Sequence, residues 1–509
     1  MTVAVASSSP LAAAAGARVA DAGGNAVDVA LAAAMVSIVT EPGICSIGSG
    51  AFVTVWPADG DAVTIDGNIE MPGRGLPPER LGGGVTEITM AYGGGVTTTV
   101  GHGSVGTPGA LAAFELASQR YGRVPWREIV EPSYEHARDG FPMSPAAFYY
   151  FQYSHEAIYG WHEPSYLALH PSGELVALGE RILVADLADS LRLLADEGVR
   201  AFYEGDIADL IATDMEANGG ILTREDLRAY RAEVRRPLTV CSGRWELATN
   251  PPPAVGGATL AAMLRLLGDH PKGAWTEEYV ARLIDAQRRV LSYRRSDLDG
   301  APDIEAAAQR LLDLADAQAP AAATAPSTVH TSAVDDDGSV CSITASAGYG
   351  SGVIPPGTGI WMNNSLGAPE INPLGLHGWP PGTRLPSNMA PTVGRRDDGA
   401  ALAVGSPGAD RITTAILQVV TNITNAGMTL EAAIEHPRLH VNVATDPPEV
   451  VVEPGVPLPA GLDLPLRAFN APNMYFGGAA AAQYDPSDRS VTAAADARRA
   501  GAVATGGHA

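Results

Sequence analysis

The sequence is poor in cysteine and in positive charge, and both deficits exclude classes of protein. Its three cysteines, Cys45, Cys241 and Cys341, stand far apart in 509 residues, which fits neither a disulfide framework nor a metal-ligand spacing. We expect all three to be buried as small hydrophobic side chains. Lys and Arg number 33 against 57 Asp and Glu. The net charge of −24 makes the average surface repel nucleic acid and anionic lipid.

Long apolar runs are missing as well. The stretch 29–39 is too short to span a bilayer, and no Lys or Arg precedes Arg18 to form the positive region of a signal peptide. We therefore expect a cytoplasmic protein that does not contact membranes. Because the HExxH, paired CxxC and GxxxxGK[ST] motifs are absent, we expect no metal and no cofactor.

What the chain does contain is a globular composition, with 46% hydrophobic and 18% charged residues. An Ala-rich, polar-poor segment that ends at Gly23 predicts a helix at 3–22, followed by a buried helix at 26–39. Apolar residues at spacings of three and four predict helices at 110–120, 126–139, 183–196, 207–218 and 277–294, and two more helices are predicted at 411–426 and 430–436. Alternating and β-branched runs predict strands at 51–56, 62–65, 329–334, 339–346, 359–362 and 400–404. Helical segments that flank strand-rich ones favour a layered α+β sandwich over a parallel βαβ fold.

One glycine motif suggests a dinucleotide site. Residues 101–106 read Gly-His-Gly-Ser-Val-Gly and fit GxGxxG after a strand-like run. However, 107–109 intervene before the next helix, and no βαβ repeat surrounds the motif. The sequence favours a plain loop here.

The pattern changes abruptly near residue 327. Residues 306–325 are rich in Ala and Asp and have the composition of an exposed, easily cut segment, whereas a strand pattern begins at Thr328. By spacing alone, Thr328 is only a threonine at the start of a strand. A threonine hydroxyl is a weak nucleophile without a base beside it, and a freed α-amino group with a pKa of about 7.7 to 8.0 can be that base. A chain cut before Thr328 would meet this requirement.

Residues 328–338, Thr-Val-His-Thr-Ser-Ala-Val-Asp-Asp-Asp-Gly, resemble the start of the small subunit in gamma-glutamyltransferases, where a Thr-x-His-x-Ser-x-x-Asp-x-x-Gly pattern begins at the nucleophile. Further segments resemble the family and occur in family order: 23–28, 104–109, 121–141, 226–230, 251–257, 363–364, 386–392, 405–412 and 496–499. Each segment is weak alone, but the ordered set is specific and covers most of the chain.

The resemblance implies an N-terminal-nucleophile hydrolase with a four-layer αββα sandwich. It implies cleavage between Ser327 and Thr328, after which a large subunit, 1–327, and a small subunit, 328–509, stay associated and interleave. Thr328 would then be the nucleophile and its amino group the general base. His330 shares the face of Thr328 in an extended strand, but the terminal amine already provides a base.

The resemblance also assigns roles around the nucleophile. Ser346 matches the hydroxyl that hydrogen-bonds it. Gly408 and Ala409 match the pair whose backbone N–H groups form the oxyanion hole. Ser387 and Asn388 match the pair that holds the acyl group.

The residues that grip a glutamyl group depart from the family pattern. The expected arginine is replaced at the segment containing Asn68, and the expected Asn-Asn-x-x-x-Asp segment reads Asn-Asn-Ser-Leu-Gly-Ala at 363–368, which places Ser365 and Ala368 there. Neutral groups cannot replace an arginine clamp and a carboxylate energetically. A simple γ-glutamyl peptide is therefore not the expected substrate.

The resemblance to branches without this clamp implies a small-molecule substrate with an amide or activated carbonyl, and water or an amine as acceptor. Some such branches act as acylases, and others hydrolyse a carbon–carbon bond in 4-alkylproline antibiotic biosynthesis. Two alternatives stay open. One is a true γ-glutamyl hydrolase or transpeptidase with a clamp relocated to Arg74 or Arg384. The other is an uncleaved, inactive homologue that serves as a binding subunit.

Overall fold

The computed structural model describes residues 1–80, 83–92, 95–268, 272–317, 328–369 and 372–507. The strands are β1 (Thr2–Ser7), β2 (Gly50–Trp56), β3 (Val63–Gly67), β4 (Thr86–Met90), β5 (Val96–Val100), β6 (Phe141–Pro142), β7 (Arg181–Ile182), β8 (Glu233–Arg235), β9 (Leu238–Ser242), β10 (Trp245–Thr249), β11 (Val329–Asp335), β12 (Val340–Ser346), β13 (Thr392–Arg396), β14 (Ala401–Gly405), β15 (Leu439–Asn442), β16 (Glu449–Val452), β17 (Leu466–Ala468), β18 (Ala480–Asp485), β19 (Ser490–Ala495) and β20 (Ala502–Gly507).

The α-helices are α1 (Pro10–Asp21), α2 (Ala26–Thr40), α3 (Ala110–Tyr121), α4 (Trp126–Asp139), α5 (Pro145–Ser154), α6 (Glu163–Leu169), α7 (Leu187–Glu197), α8 (Arg200–Tyr203), α9 (Asp206–Ala217), α10 (Arg224–Ala229), α11 (Val255–Leu267), α12 (Glu277–Tyr293), α13 (Ile304–Ala317), α14 (Arg411–Thr424) and α15 (Leu430–Glu435). Short 3-10 helices occur at Pro78–Arg80, His102–Ser104, Met474–Phe476 and Ala497–Arg499, and α12 continues into a π-helical turn at Arg294–Leu298.

Two antiparallel sheets form the centre of the molecule. Sheet 1 has seven strands in the order β20-β1-β11-β12-β2-β3-β8, and sheet 2 has six in the order β19-β18-β14-β13-β10-β9. The sheets face each other through small and β-branched side chains, such as Val334 and Val340 of sheet 1 and Val393 and Ala403 of sheet 2. A polar contact also crosses this interface, where the Ser332 hydroxyl donates to the carbonyl of Ala480.

Helices cover the outer face of each sheet. Helix α1 and the fully buried helix α2 pack on sheet 1. The carboxylate of Asp335 accepts from the first N–H of α2, that of Ala26. Helices α11 and α14 pack on sheet 2, and α12 and α13 pack around α11. The layers therefore run helix, sheet, sheet, helix, which confirms the predicted αββα sandwich.

Each sheet takes strands from both sides of Thr328. In sheet 1, β11 lies between β1 and β12, while in sheet 2, β10 from the N-terminal part pairs with β13 from the C-terminal part. Because the hydrogen-bond ladders and the core cross this point, residues before and after it interleave as expected.

Four local predictions were wrong. Residues 306–317 belong to helix α13, in which Ala307 and Leu311 are buried, rather than to an exposed segment, and residues 318–325 lie outside the described residues. Residues 2–7 form a strand rather than the start of a helix, since β1 pairs with β11 and β20. Residues 359–362 form no strand, and only Met362 makes an isolated bridge, to Gly48. Cys45 and Cys341 are buried, but Cys241 is exposed, because β9 is an edge strand and its alternate side chains face outward.

The glycine motif at 101–106 lies in a loop that contains the 3-10 turn His102–Ser104, and β5 before it pairs antiparallel with β4. This is not the βαβ context that a dinucleotide site requires. Across the described ranges, no helix is both long and apolar enough to cross a bilayer.

Candidate active site

The first described residue of the C-terminal part stands at one end of β11. In the β11–β12 pairing, Val329 is opposite Ala345 and His330 is opposite Thr344. Continuing this antiparallel register by one residue sets Thr328 opposite Ser346. Thr328 is only 3% exposed. The other half of the predicted cleavage pair, Ser327, lies outside the described residues.

Thr328 and Ser346 line a cavity of about 370 Å³ that is partly open to solvent, hereafter the threonine cavity. The remaining lining residues are Asn68, Ile69, Ser365, Leu385, Pro386, Ser387, Asn388, Met389 and Ile412. The fold thus brings together six of the positions predicted from the sequence. None of the described lining residues carries a charged side chain.

Ile69 and Leu385 were missed by sequence reasoning. The N–H of Leu385 donates to the carbonyl of Ile69 at 2.9 Å, so two segments far apart in sequence form one wall. The only available signal was their adjacency to Asn68 and to the Pro-Ser-Asn segment at 386–388.

Asn68 is held rigidly on this wall. Its side-chain amide donates to the carbonyl of Leu385 at 2.7 Å, and its own carbonyl accepts from the Tyr230 hydroxyl at 2.6 Å and from Arg384 Nη1 at 2.9 Å. Its amide also lies over Gly50, the residue paired with Ser346, where a Cβ would come within 2.9 Å of Asn68 Oδ1. Glycine at position 50 therefore lets the amide approach the β12 strand end.

The Ser387–Asn388 segment rests on the start of α11. The carbonyl of Ser387 accepts from the N–H groups of Val255 at 2.9 Å and Gly256 at 3.0 Å. The Asn388 side chain is 3% exposed, and its Oδ1 and Nδ2 have no hydrogen-bond partner among the described residues. Since a buried amide without partners is costly, this group is available to hydrogen-bond a molecule in the cavity.

Ser365 and Ala368 occupy different surroundings. Ser365 is 1% exposed, and its N–H donates to Asn363 Oδ1 at 3.0 Å. The Asn363 amide in turn donates to the carbonyls of Gly48 and Gly106, which fixes this loop against the N-terminal part. Ala368 is fully buried in the hydrophobic core and is not on the cavity wall.

Gly408 and Ala409 form a turn directly before α14. Both have positive φ, 125° and 70°, and a Cβ on Gly408 would lie 2.6 Å from Gly477 Cα. An alanine in the left-handed region costs about 1 to 2 kcal/mol, and such strain is concentrated at functional positions. The turn also sits at the positive end of the helix dipole. Neither residue is itself on the cavity wall, which α14 reaches through Ile412.

The carboxylate next to this turn, that of Asp410, is paired with the guanidinium of Arg411. Burial alone would raise the pKa of Asp410, but the Arg411 guanidinium and His440 lower it to about 2. Arg411 contacts the Asp410 carboxylate and donates through Nε to the carbonyl of Tyr475 at 3.0 Å. The start of α14 is thereby fixed in position.

His330 lies between the two sheets and does not line the threonine cavity. Its Nδ1 is 2.8 Å from the Thr344 hydroxyl and its Nε2 is 2.9 Å from the Ser332 hydroxyl. Burial lowers the pKa of His330 to about 3, so the ring is neutral. Both ring nitrogens are thus engaged away from Thr328.

The two arginines considered as a relocated clamp are occupied elsewhere. Arg384 is buried over the ring of Tyr230 at 4.3 Å, with Glu70 at 3.4 Å. Arg74 pairs with Asp226 at 3.2 Å and with Glu70 at 3.1 Å. Neither arginine lines the threonine cavity.

One cluster in the described part of the chain has the composition of a metal site. His102, His162 and Asp214 hold potential ligand atoms within 4.8 Å of one another. His102 Nε2 is 3.0 Å from Asp214 Oδ2, which forms an ion pair if the ring is protonated. None of the three lines the threonine cavity.

Comparison with known proteins identifies the family of the chain. The gamma-glutamyltranspeptidase family model matches residues 12–506. The glutathione hydrolase proenzyme of Escherichia coli (strain K12) is 30% identical over 470 residues, which is 85% of this chain and 79% of that protein. The acylase ACY 1 proenzyme of Pseudomonas sp. (strain V22) is 31% identical over 454 residues, 84% of this chain and 81% of that protein.

The fold comparison agrees. The crystal structure of cephalosporin acylase from Bacillus halodurans matches with a TM-score of 0.81 and 25% identity, and the match covers 99% of this chain and 95% of that one. The chain therefore belongs to the gamma-glutamyltranspeptidase family and is an enzyme of the N-terminal-nucleophile hydrolase and transferase type.

Proposed function

We propose that this enzyme cleaves itself before Thr328 and then hydrolyses an amide or activated carbonyl whose acyl group is not γ-glutamyl. The observation that carries the proposal is the uncharged wall of the threonine cavity, formed by residues such as Asn68, Ser365 and Asn388. A γ-glutamyl group carries a carboxylate and an ammonium on its α-carbon. Burying a charge without its partner costs on the order of 3 to 5 kcal/mol, or about 10²- to 10⁴-fold in affinity.

Self-cleavage would be an attack within the chain. The Thr328 Oγ1 adds to the carbonyl carbon of residue 327, the peptide nitrogen leaves as the new α-amino group, and water then hydrolyses the resulting ester. After the cut, Thr328 carries both the nucleophilic hydroxyl and the free α-amine that can act as its base. The placement of Thr328 opposite Ser346 supports this step, because a hydroxyl across the ladder can orient Oγ1.

Turnover would repeat the same chemistry on the substrate. The freed amine takes the proton as Oγ1 attacks the substrate carbonyl, and it returns the proton to the leaving amine when the bond breaks. Water then attacks the acyl-threonine ester and releases the acid. The N–H groups of the Gly408–Ala409 turn would stabilise the tetrahedral oxyanion, and each such donor is typically worth about 3 to 4 kcal/mol.

The acyl group would lie against Ser387 and Asn388. The Asn388 amide supports this assignment, since its unpartnered buried Oδ1 and Nδ2 can accept from and donate to a polar acyl chain. For a substrate whose acyl group is bonded to carbon, the same attack would expel a carbanion, which takes the proton that an amine leaving group would otherwise receive. The proposal covers both bond types because the attacking atom and the oxyanion are the same.

The first test is the intact mass of three purified proteins: wild type, Thr328→Ala and Thr328→Ser. We expect two chains from wild type, the second beginning at Thr328, and a single chain from Thr328→Ala. Thr328→Ser keeps a hydroxyl and should still be cut. A wild type that stays whole after long incubation would refute self-cleavage. It would favour the alternative of an inactive homologue that serves as a binding subunit.

The second test compares butanoyl-p-nitroanilide with γ-glutamyl-p-nitroanilide, two substrates that differ only in the α-amino and α-carboxyl groups. For processed wild type we expect kcat/KM to be at least about 100-fold higher for the butanoyl compound, given the unpaired charges. A preference for the γ-glutamyl compound would instead show that a clamp exists and would restore the glutathione-type alternative.

A further inference from the structure

A second cavity lies close to the candidate oxyanion turn and, unlike the threonine cavity, is lined by positively charged side chains. It encloses about 760 Å³, partly open to solvent, and three arginines line it: Arg411, Arg467 and Arg499. Three guanidinium groups in one cavity stand out in a chain whose net charge is −24. We call this cavity the arginine pocket.

The arginines of this pocket are incompletely neutralised. Arg411 has the Asp410 carboxylate as a partner. Within the described ranges, no carboxylate lies within salt-bridge distance of Arg467 or Arg499. Arg499 is only 8% exposed, and its Nε and Nη1 donate no hydrogen bond to the described residues. A buried guanidinium with unused donors is costly on its own, and it is a fitting partner for an anion.

Aromatic rings set the shape of the pocket. Arg467 lies over Phe469 at 5.2 Å and over Tyr475 at 4.8 Å, and Arg411 lies over Tyr475 from 4.6 Å. The two rings are stacked at 5.5 Å, and Tyr92 lines the pocket as well. The faces and edges of these rings that border the pocket also offer apolar surface on which a flat aromatic group can lie.

The arginine pocket adjoins the oxyanion turn through backbone contacts. Gly408 lies against Gly477, and the N–H of Gly478 donates to the Ser406 hydroxyl at 3.1 Å. The Arg499 side chain lies across Gly478, where a Cβ would meet its Cβ, Cγ and Cδ at 2.8 Å. On the other side, Arg411 directly precedes Ile412, which lines the threonine cavity. The turn thus separates an uncharged cavity from a cationic one.

We propose that the arginine pocket binds a carboxylate on a flat aromatic leaving group, so that the substrates are amides of amines that carry an aromatic acid. This rests on the proposed function. The acyl group occupies the uncharged threonine cavity, the scissile carbonyl lies at the turn, and the released amine remains on the cationic side. Arg467 and Arg499 bind the carboxylate, while Phe469 and Tyr475 contact the ring.

Binding is tested first, on Thr328→Ala, which needs neither processing nor turnover. The probes are 2-naphthoate and its neutral analogue 2-naphthamide, titrated by calorimetry. Hydrogen bonds to a charged group support a preference of at least about tenfold for the naphthoate. Arg467→Gln, in the same background, should remove this preference. Arg467 is only half-buried, so the substitution is compatible with folding.

Arg396→Gln is the matched control. Arg396 also lies over an aromatic ring, that of Trp245 at 5.4 Å, but it is on β13, away from both cavities. It should leave the naphthoate preference unchanged. Equal binding of naphthoate and naphthamide to the parent protein, or an unchanged preference in Arg467→Gln, would overturn the proposal.

Measurements of turnover then test whether the arginine pocket binds the leaving-group side of the scissile bond. For processed wild type, we expect kcat/KM for butanoyl-4-aminobenzoate to exceed that for butanoyl-4-aminobenzamide by about tenfold or more, and Arg467→Gln to abolish the difference. If wild type turns over both compounds equally, the leaving-group assignment is wrong while the hydrolase function stands. If wild type is never processed, the proposed function fails, and the binding result on Thr328→Ala remains a separate outcome.

Discussion

A methyl group added at Gly256 tests whether the position of the Ser387–Asn388 segment controls catalysis. Gly256 is the second residue of α11 and lies directly under this segment. A Cβ at this position would be 2.2 Å from the carbonyl oxygen of Asn388 and 2.4 Å from that of Met389. Real Cβ contacts are essentially never shorter than 3.0 Å, so the segment would have to move by about 1 Å.

Two effects oppose each other in Gly256→Ala. Helix propensity favours alanine by about 1 kcal/mol. Overpacking of a filled interior costs about 1 to 3 kcal/mol. The atoms that block the methyl are backbone oxygens of an ordered segment, which cannot rotate aside as a flexible side chain can. The clash therefore outweighs propensity, and we expect a lower melting temperature. A displacement of about 1 Å in an active site can reduce the rate by about 10²-fold.

The assay measures kcat/KM of the processed enzyme on butanoyl-p-nitroanilide, together with the melting temperature. The control is Gly461→Ala, because a Cβ there meets no heavy atom within 4 Å and the backbone φ is not in the left-handed region. We expect the control to match wild type and Gly256→Ala to lose about 100-fold in kcat/KM. Wild-type activity in Gly256→Ala would refute the claim that this segment positions the acyl group.

Two further predictions concern buried charge and pH. Arg384→Gln removes one buried cation from Asp66 and Glu70, which keep Arg235 and Arg74 as partners, and it removes the donor to the Asn68 carbonyl. The free energy of unfolding, measured in urea, should therefore fall by about 1 to 3 kcal/mol. His330 has a folded-state pKa of about 3 against 6.5 in the unfolded chain, so the unfolded state binds more protons between these values. Wild-type stability should therefore fall as the pH drops from 6.5 towards 3, by up to about 1.4 kcal/mol per pH unit, and His330→Gln should lack this contribution.

Each of these predictions has a clear contrary outcome. Arg396→Gln removes an exposed pair with Asp398 and should change stability by less than about 1 kcal/mol, which makes it the control for Arg384→Gln. Unchanged stability with a raised KM in Arg384→Gln would indicate that Arg384 binds substrate after all. Equal pH slopes for wild type and His330→Gln would mean that the histidine is not buried in its neutral form.

Local patterns predicted helices such as α3, α4 and α14 but missed α11 and the first strand. Residues 126–139 form a helix with the predicted bounds, because the apolar spacing that indicates a helix is visible within the segment itself. The Ala-rich, polar-poor composition of residues 3–22 before Gly23 predicts a helix that includes residues 3–7. Their strand conformation comes from the partners β11 and β20, which lie several hundred residues away in sequence and leave no local trace.

The candidate site divides in the same way. Segments such as 328–338 and 405–412 were predicted as parts of the site from their resemblance to family motifs, because a fixed order of residue types can be compared without knowledge of the fold. The surroundings of Asn68 could not be assigned so, since they depend on Leu385 and Tyr230 from distant segments.

The sequence by itself indicated the family, and it predicted Thr328 as the nucleophile and the absence of a glutamyl clamp. Only the tertiary structure decided that Arg74 and Arg384 are occupied by carboxylates, that the wall beside Thr328 is uncharged, and that three other arginines line one cavity near the Gly408–Ala409 turn. The physical reason is that electrostatic pairing depends on distance in space. A charged residue has the same sequence signal whether the fold places it beside a carboxylate or in an unfilled cavity.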